Sequence, residues 1–441
     1  MTCDPPTAAH RNSRLLYPTF AAVMHLLLIH QYFLEKDDGG GSRFNEMARY
    51  WAAQGHRVTV LAGMVHYNTG KKLARYQGRY FYKEQYAPGI TVLRCHVSES
   101  YNTSFAGRMW GYLSFVASGL WGAITRLEGR FDAIIVTSPP LFVGITGYVL
   151  QRCFRAPLIF EIRDLWPESA IDTGVLKSPV LIRAAYAFER FIYRKSALIN
   201  VLTPAFRQTL VARKGVPAAK VVLIPNAADF SLADGVARRF DRTAFRRAQG
   251  WEGKFVALYV GAHGVANHLV QVLEAAELLR HTPALLVLIG DGMQRPWLLQ
   301  EAERRNLHNV VLLPPVSKER VFEYILGADA GLSVLKKADT FKTVYSNKTF
   351  DYMACRRPIV MGIDGVSREL VETAGCGLYA EPEQPQALAD AIAYLMAHPD
   401  KAAQMGEAGN TYARAHFDRA ALATTYLDKI TGLLRHLGRG R

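Results

Sequence analysis

The sequence is poor in cysteine and contains no C-x-x-C pair: Cys3, Cys95, Cys153, Cys355 and Cys376 are scattered through 441 residues. That spacing excludes a zinc ribbon and a disulfide framework, and it points to a reducing, cytosolic setting. No D-x-D sequence occurs, so a metal held by such a carboxylate pair is not indicated and no cofactor is expected. No repeat is visible at the period of about 20–50 residues that a solenoid or propeller requires. Residues 1–23, with Pro5, Pro6 and Pro18, lack the continuous apolar core of a signal peptide. They read as a disordered extension, or as an upstream mis-start with Met24 as the initiator.

Long apolar runs are also scarce. Residues 109–125, between Arg108 and Arg126, carry no charge, but as a helix they would span roughly 25 Å, short of the ~30 Å of a bilayer core. Trp110, Tyr112 and Trp121 beside flanking arginines suit a helix lying at headgroup level. A buried helix and a true span are the alternatives.

What the chain has is 50% hydrophobic residues against 21% charged ones. That balance excludes a disordered chain, and the length suits two to three domains. Its net charge of +15 is uneven. Residues 1–228 hold 27 Lys and Arg against 14 Asp and Glu, whereas residues 229–441 hold 26 against 24. A basic first half suits a polyanionic partner: nucleic acid, anionic lipid or a phosphorylated substrate.

From Met24 onward short apolar runs alternate with amphipathic segments. Strands are expected at 25–29, 57–62, 90–95, 132–137, 157–161, 197–202 and 220–224. A second series is expected at 255–260, 284–289, 309–313, 330–335, 358–361 and 377–380. Several runs, such as 285–289, are apolar on both faces, as strands of a helix-covered parallel sheet are. Phe44, Met47, Ala48 and Trp51 recur at helical spacing, as do Leu269, Val272, Leu273 and Ala276. The alternation predicts an α/β protein of two doubly wound, Rossmann-like domains, 24–229 and 236–415. They are divided by a polar, Arg-rich stretch around 230–252. A last helix within 416–441 would pack back on the first domain.

Two glycine-rich turns follow first strands: Gly39, Gly40 and Gly41, and then Gly261-Ala-His-Gly264. Glycines admit a ligand close to the backbone, and the helix N-terminus that follows favours anions. In Tyr345-Ser-Asn-Lys-Thr-Phe-Asp-Tyr-Met-Ala-Cys355, Ser346 suits an N-cap. Lys348 in the first turn opposes the helix dipole, so an anionic partner is sought for it. Asp351, three residues on, is one candidate partner. A nucleotide diphosphate is another, with the cation on phosphate and the carboxylate on ribose.

These pieces, taken in order, resemble a family 4 glycosyltransferase of the two-Rossmann GT-B fold. The matching stretches are His30-Gln-Tyr-Phe33, the Gly39–Gly41 turn, Gly55-His-Arg-Val-Thr-Val60, Pro225-Asn-Ala-Ala-Asp229, Val260-Gly-Ala-His-Gly264, Ile289-Gly-Asp-Gly292, Asn347–Cys355 and Gly375-Cys-Gly377. Glu161-Ile-Arg-Asp-Leu-Trp-Pro167 and Ser346-Asn-Lys348 are most similar to the branch that includes the L-fucosamine transferases of bacterial O-antigen and capsule synthesis.

The resemblance implies a retaining transfer from a nucleotide-sugar donor, most often UDP-linked. The acceptor implied is an undecaprenyl-diphosphate-linked saccharide at the cytoplasmic membrane face, with the enzyme peripheral on that anionic surface. The first domain would bind the acceptor, with Gly39, Gly40, Gly41 and Arg43 at its cleft edge. The second would bind the donor. By match, Lys348 would stabilise the leaving diphosphate and Asp351 would bind ribose. Val316 would hold the base through its backbone, and Gly261, His263, Gly264 and Gly290 would approach the phosphates. Thr343, Val344, Tyr345, Ser346 and Asn347 would face the donor sugar and diphosphate. Arg163 and Asp164 stand where the family carries an active-site histidine; a structural ion pair is their alternative.

The sequence departs from the family pattern at Thr343, where a carboxylate is usual, and at Arg356, where glycine is usual. The cation of the second glycine-rich turn is missing too, replaced by Asn267-His268. Two rival functions, a nucleotide-sugar epimerase and a nucleic-acid-binding protein, find neither an acid–base set nor an aromatic–basic repeat.

Overall fold

The computed structural model describes residues 23–35, 43–66, 70–102, 105–172, 174 and 176–438. The Gly39–Gly41 turn and the extension 1–22 lie outside the described residues.

The first sheet contains β1 (His25–Ile29), β2 (Arg57–Gly63), β3 (Phe81–Ala87), β4 (Ile90–Cys95), β5 (Ala133–Ser138), β6 (Leu158–Ile162), β7 (Leu198–Val201) and β8 (Val221–Leu223). Its order is β3-β4-β2-β1-β5-β6-β7-β8, parallel except for β3. The second sheet contains β9 (Phe255–Val260), β10 (Ala284–Ile289), β11 (Val310–Leu313), β12 (Ala330–Val334), β13 (Ile359–Gly362) and β14 (Gly377–Tyr379). It runs β11-β10-β9-β12-β13-β14, parallel throughout. β5 and β10 are buried at every position, which follows from helices covering both faces of each sheet. Chain order reverses beside β1 and again beside β9. Ligands of open α/β sheets settle at the carboxyl ends of strands at such points.

The helices used below are α1 (Arg43–Ala53), α2 (Phe105–Arg126), α3 (Pro204–Gln208), α4 (Lys318–Gly327), α5 (Asn347–Ala354), α6 (Val366–Ala374) and α7 (Arg419–His436). Phe44, Met47, Ala48 and Trp51 are the buried stripe of α1. The chain enters the second domain beside the point where it returns. Ala228 N–H donates to Phe417 O, and Arg419 N–H to Ala228 O. Past this crossing α7 packs on the first domain. Trp51 Nε1 donates to Ala423 O at 2.9 Å, and Arg419 pairs with Glu46 at 2.8 Å. Ala423, Tyr426, Leu427, Ile430 and Leu434 complete the core behind β1.

β3 is a strand that the alternating pattern does not announce. Its Lys83, Glu84 and Gln85 stand on an edge strand with one open face, where charge blunts unwanted pairing. Its partner β4 follows across a tight turn at Gly89, φ +76°.

α2 resolves the charge-free stretch as a half-buried helix. Phe115, Ser118 and Ala123 are buried, whereas Trp110, Leu113, Trp121 and Ile124 are exposed. Trp110 and Trp121, like Leu113 and Ile124, are about three helical turns apart, so these four side chains share one face. No helix of the described residues is long and apolar enough to cross a membrane.

Arg356, just past α5, takes the left-handed conformation at φ +54°, where a side chain costs about 1–2 kcal/mol. Its compensation is an ion pair to Glu407, exposed on both sides and so worth a few tenths of a kcal/mol. Arg356→Gly is therefore expected to raise unfolding stability by about 1 kcal/mol. Urea denaturation checks this; unchanged or lowered stability would refute the strain at this position.

Candidate active site

Residues from both domains gather at the carboxyl ends of the two sheets. In the second domain β9 ends at Val260 and turns through Gly261, whose φ is +151°. A Cβ there would lie 3.1 Å from Lys348 Cε and 3.2 Å from the Tyr259 hydroxyl, so a side chain would crowd the Lys348 stem as well as strain the backbone. A Cβ on Gly290 would strike Gly261 O; this position too is closed to side chains. His263 fastens the turn. Its N–H donates to Asp291 O and its carbonyl accepts from Gln294 N–H. Its enclosed ring is pushed down to about 4 by burial and then by Arg295, so it is neutral at physiological pH. Gly264 lies against Asn267.

α5 presents its N-terminus beside this turn. Ser346 occupies the N-cap position, but its hydroxyl makes no cap bond; it accepts from Lys348 Nζ at 3.3 Å instead. The N–H groups of Asn347 and Lys348 therefore have no cap, and such amides attract anions. The Tyr345 N–H also has no acceptor among the described residues. Lys348 Nζ lies 4.7 Å from the centre of the Tyr259 ring. Among the described residues no carboxylate stands within ion-pair distance of it. Desolvation in the cleft pushes its ammonium down to about 8.

The Lys348–Asp351 pair that the spacing allows does not form. Asp351 is bound by Lys318 at 2.6 Å, from the first residue of α4. Burial raises the Asp351 carboxyl, and Lys318 opposes that rise. Asp351 thus offers a carboxylate already held by a cation, and Lys318 joins the site. The reasoning that marks Lys348, a cation in a helix's first turn, applies equally to Lys318 and would have found it. Val316, two residues earlier, packs against the second-domain core.

The loop before α5 is pinned by hydroxyls. Thr343 O accepts from Thr203 Oγ1 of the first domain at 2.7 Å, and Val344 O from Ser367 Oγ of α6 at 2.8 Å. Val344 packs on the first-domain core. The Tyr345 ring packs edge-on against Phe350 and Phe417, and burial pushes its phenol up to about 12.

Across the cleft Arg163 follows β6, its N–H donating to Ser138 O. It stands close enough to His30 to help burial hold that imidazole well below its ordinary range. His30 Nδ1 meets Thr137 Oγ1 at 2.7 Å. Burial raises Asp164 to about 6, against the opposing pull of the Ser169 hydroxyl and the Leu165 N–H, both of which outweigh Arg163. Arg43 calls for a correction. It is buried, with Nε on Glu161 at 2.8 Å and its other nitrogens on Ile224 O, Pro225 O and Glu161. Every nitrogen is thus engaged inside the domain, and none faces an acceptor.

Residues 38–227 match a glycosyl transferase 4-like domain, and residues 241–412 match glycosyl transferases group 1. The chain is 25% identical to the putative colanic acid biosynthesis glycosyl transferase WcaI of Escherichia coli (strain K12), over 89% of this chain and 96% of that protein. It is also 25% identical to the alpha-D-kanosaminyltransferase of Streptomyces kanamyceticus, over 66% of this chain and 73% of the other. The fold is that of Anabaena HepE, solved in complex with UDP and glucose. The TM-score is 0.68 at 16% identity, covering 93% of this chain and all of that one. The architecture is GT-B.

Proposed function

We propose, from the premise that this chain is a glycosyltransferase built of a glycosyl transferase 4-like and a glycosyl transferases group 1 domain, that it moves a hexosamine-type sugar from UDP, with retention, to a lipid-linked saccharide. The product would enter a bacterial surface polysaccharide, in keeping with the similarity to WcaI, and the enzyme would stand nearest the L-fucosamine transferases. The observation that carries the donor half is Lys348: a desolvated cation with no carboxylate partner among the described residues, beside the uncapped amides of α5. Anabaena HepE, which shares the fold, binds UDP. In transfer, negative charge builds on the departing diphosphate, and an ammonium and amides already aimed at it stabilise that charge without reorganising. No metal is invoked, and no enzymic nucleophile is needed if the acceptor hydroxyl attacks on the face the diphosphate leaves.

The acceptor half rests on the basic first half of the chain and on the exposed face of α2. Trp110, Leu113, Trp121 and Ile124 suit the headgroup region of an anionic bilayer, where an undecaprenyl-diphosphate-linked saccharide would present its sugar. The protein would work from the cytoplasmic face as a peripheral enzyme.

The test incubates the full chain with labelled UDP- and GDP-sugars and membranes carrying lipid-linked saccharides. Label is expected in lipid from a UDP-hexosamine, in the presence of EDTA. Incorporation from GDP-sugars alone, abolition by EDTA, or an epimer formed without acceptor would overturn the reading.

A further inference from the structure

Thr203 follows β7 of the first domain and is 1% exposed. Both capacities of its hydroxyl are committed. It accepts from Phe206 N–H at 3.1 Å, capping α3, and donates to Thr343 O at 2.7 Å, in the second domain. The next carbonyl, Val344 O, is held by Ser367 from within the second domain. Consecutive peptide groups are therefore fixed from opposite sides of the cleft. A peptide's N–H points away from its C=O. The Thr343 carbonyl held by Thr203 shares its peptide with the Val344 N–H, which donates to Phe341 O, and the Val344 carbonyl held by Ser367 shares its peptide with the Tyr345 N–H, which has no acceptor of its own among the described residues. Val344, packed on the first-domain core, seals the same contact with apolar surface.

We infer that Thr203 is a positioning residue: its hydroxyl latches the first domain onto the 343–344 peptide and so steadies the loop whose next peptide presents the Tyr345 N–H to the sugar-diphosphate. This rests on the reading that the loop borders the donor. The second domain supplies the nucleotide-binding groups by itself, but the loop reaches its working geometry only when the domains are closed. Donor binding and turnover are then separable. Loss of the latch leaves nucleotide affinity intact and slows transfer.

The experiment compares Thr203→Val, which keeps shape but loses donor and acceptor, with Thr203→Ser, which keeps both. Three quantities are read on the full chain: amide hydrogen exchange of residues 343–346, the Kd for UDP, and kcat with the donor found above. Thr203→Val is expected to speed exchange and lower kcat by about five- to tenfold, the worth of one neutral hydrogen bond, while the Kd for UDP stays within about twofold. Thr203→Ser is expected to match wild type. Asp241→Ala removes a different helix cap, on Ala244 N–H, and should leave exchange and kcat unchanged while lowering stability. Wild-type exchange and kcat in Thr203→Val would overturn the latch. So would equal impairment in Thr203→Ser, or the same losses in Asp241→Ala. If wild type binds no UDP, the donor reading fails, whereas the exchange comparison still decides the latch.

Discussion

Replacing Lys348 with Met is expected to lower kcat/KM for the sugar-nucleotide donor by about a hundred- to a thousandfold, the cost typical of removing one preorganised group from developing negative charge. The variant should fold. Methionine fills a similar volume, and no carboxylate of the described residues loses a partner, because Asp351 pairs with Lys318. The desolvation that lowers the ammonium to about 8 is relieved when the side chain is neutral, so stability should hold or rise. Steady-state kinetics with an unfolding curve checks both halves. Full activity in a folded Lys348→Met protein would remove Lys348 from the site.

Arg43→Met is expected to destabilise the first domain by about 3–5 kcal/mol, the cost of leaving a buried carboxylate without its cation. Glu161 is fully buried and also accepts from Asn200 Nδ2 at 3.0 Å. Arg43 also closes the Ile224 and Pro225 carbonyls, so α1 and the end of β8 come loose together. Adding Glu161→Gln should recover a large part of the loss, since the buried charge is then gone. A urea denaturation cycle over the two single variants and the double variant measures this. Were Arg43 an acceptor-binding residue, the single variant would keep its stability and raise the acceptor KM.

The fold was largely legible because buried parallel strands announce themselves: β10 is apolar throughout and β5 over Ala133–Val136, and the amphipathic stripe of α1 fixes which face is inward. β3 was not legible, since an edge strand with one open face carries the charges of a loop. At the site, the glycine turn, Lys348 and Asp351 follow from local rules, because helix dipole, cap and glycine geometry act over a few residues. The partners do not. Lys318 lies 33 positions from Asp351, Thr203 lies 140 from Thr343, and Glu161 lies 118 from Arg43. Chemistry alone placed Arg43 at the cleft edge and left Asp351 open between Lys348 and ribose; packing across the sheets pairs Arg43 with Glu161 and Asp351 with Lys318. Tyr345 shows the same limit, since its ring finds Phe417 only at the crossing between the domains.

Calorimetric titration of the full chain with UDP, and separately with uridine, between about pH 7 and 8.8, below the range in which the uracil N3–H ionises, tests the donor site most directly. Lys348 is a cation below about 8 and neutral above it, so the free protein loses its diphosphate-binding charge as pH rises through that value. UDP affinity is expected to fall above about pH 8, approaching tenfold per unit for a one-proton loss. Uridine, which lacks phosphate, should show no break, and the break should vanish for UDP in Lys348→Met. Equal affinities for UDP and uridine, or a pH break that survives in Lys348→Met, would contradict a diphosphate seated on Lys348 at the N-terminus of α5.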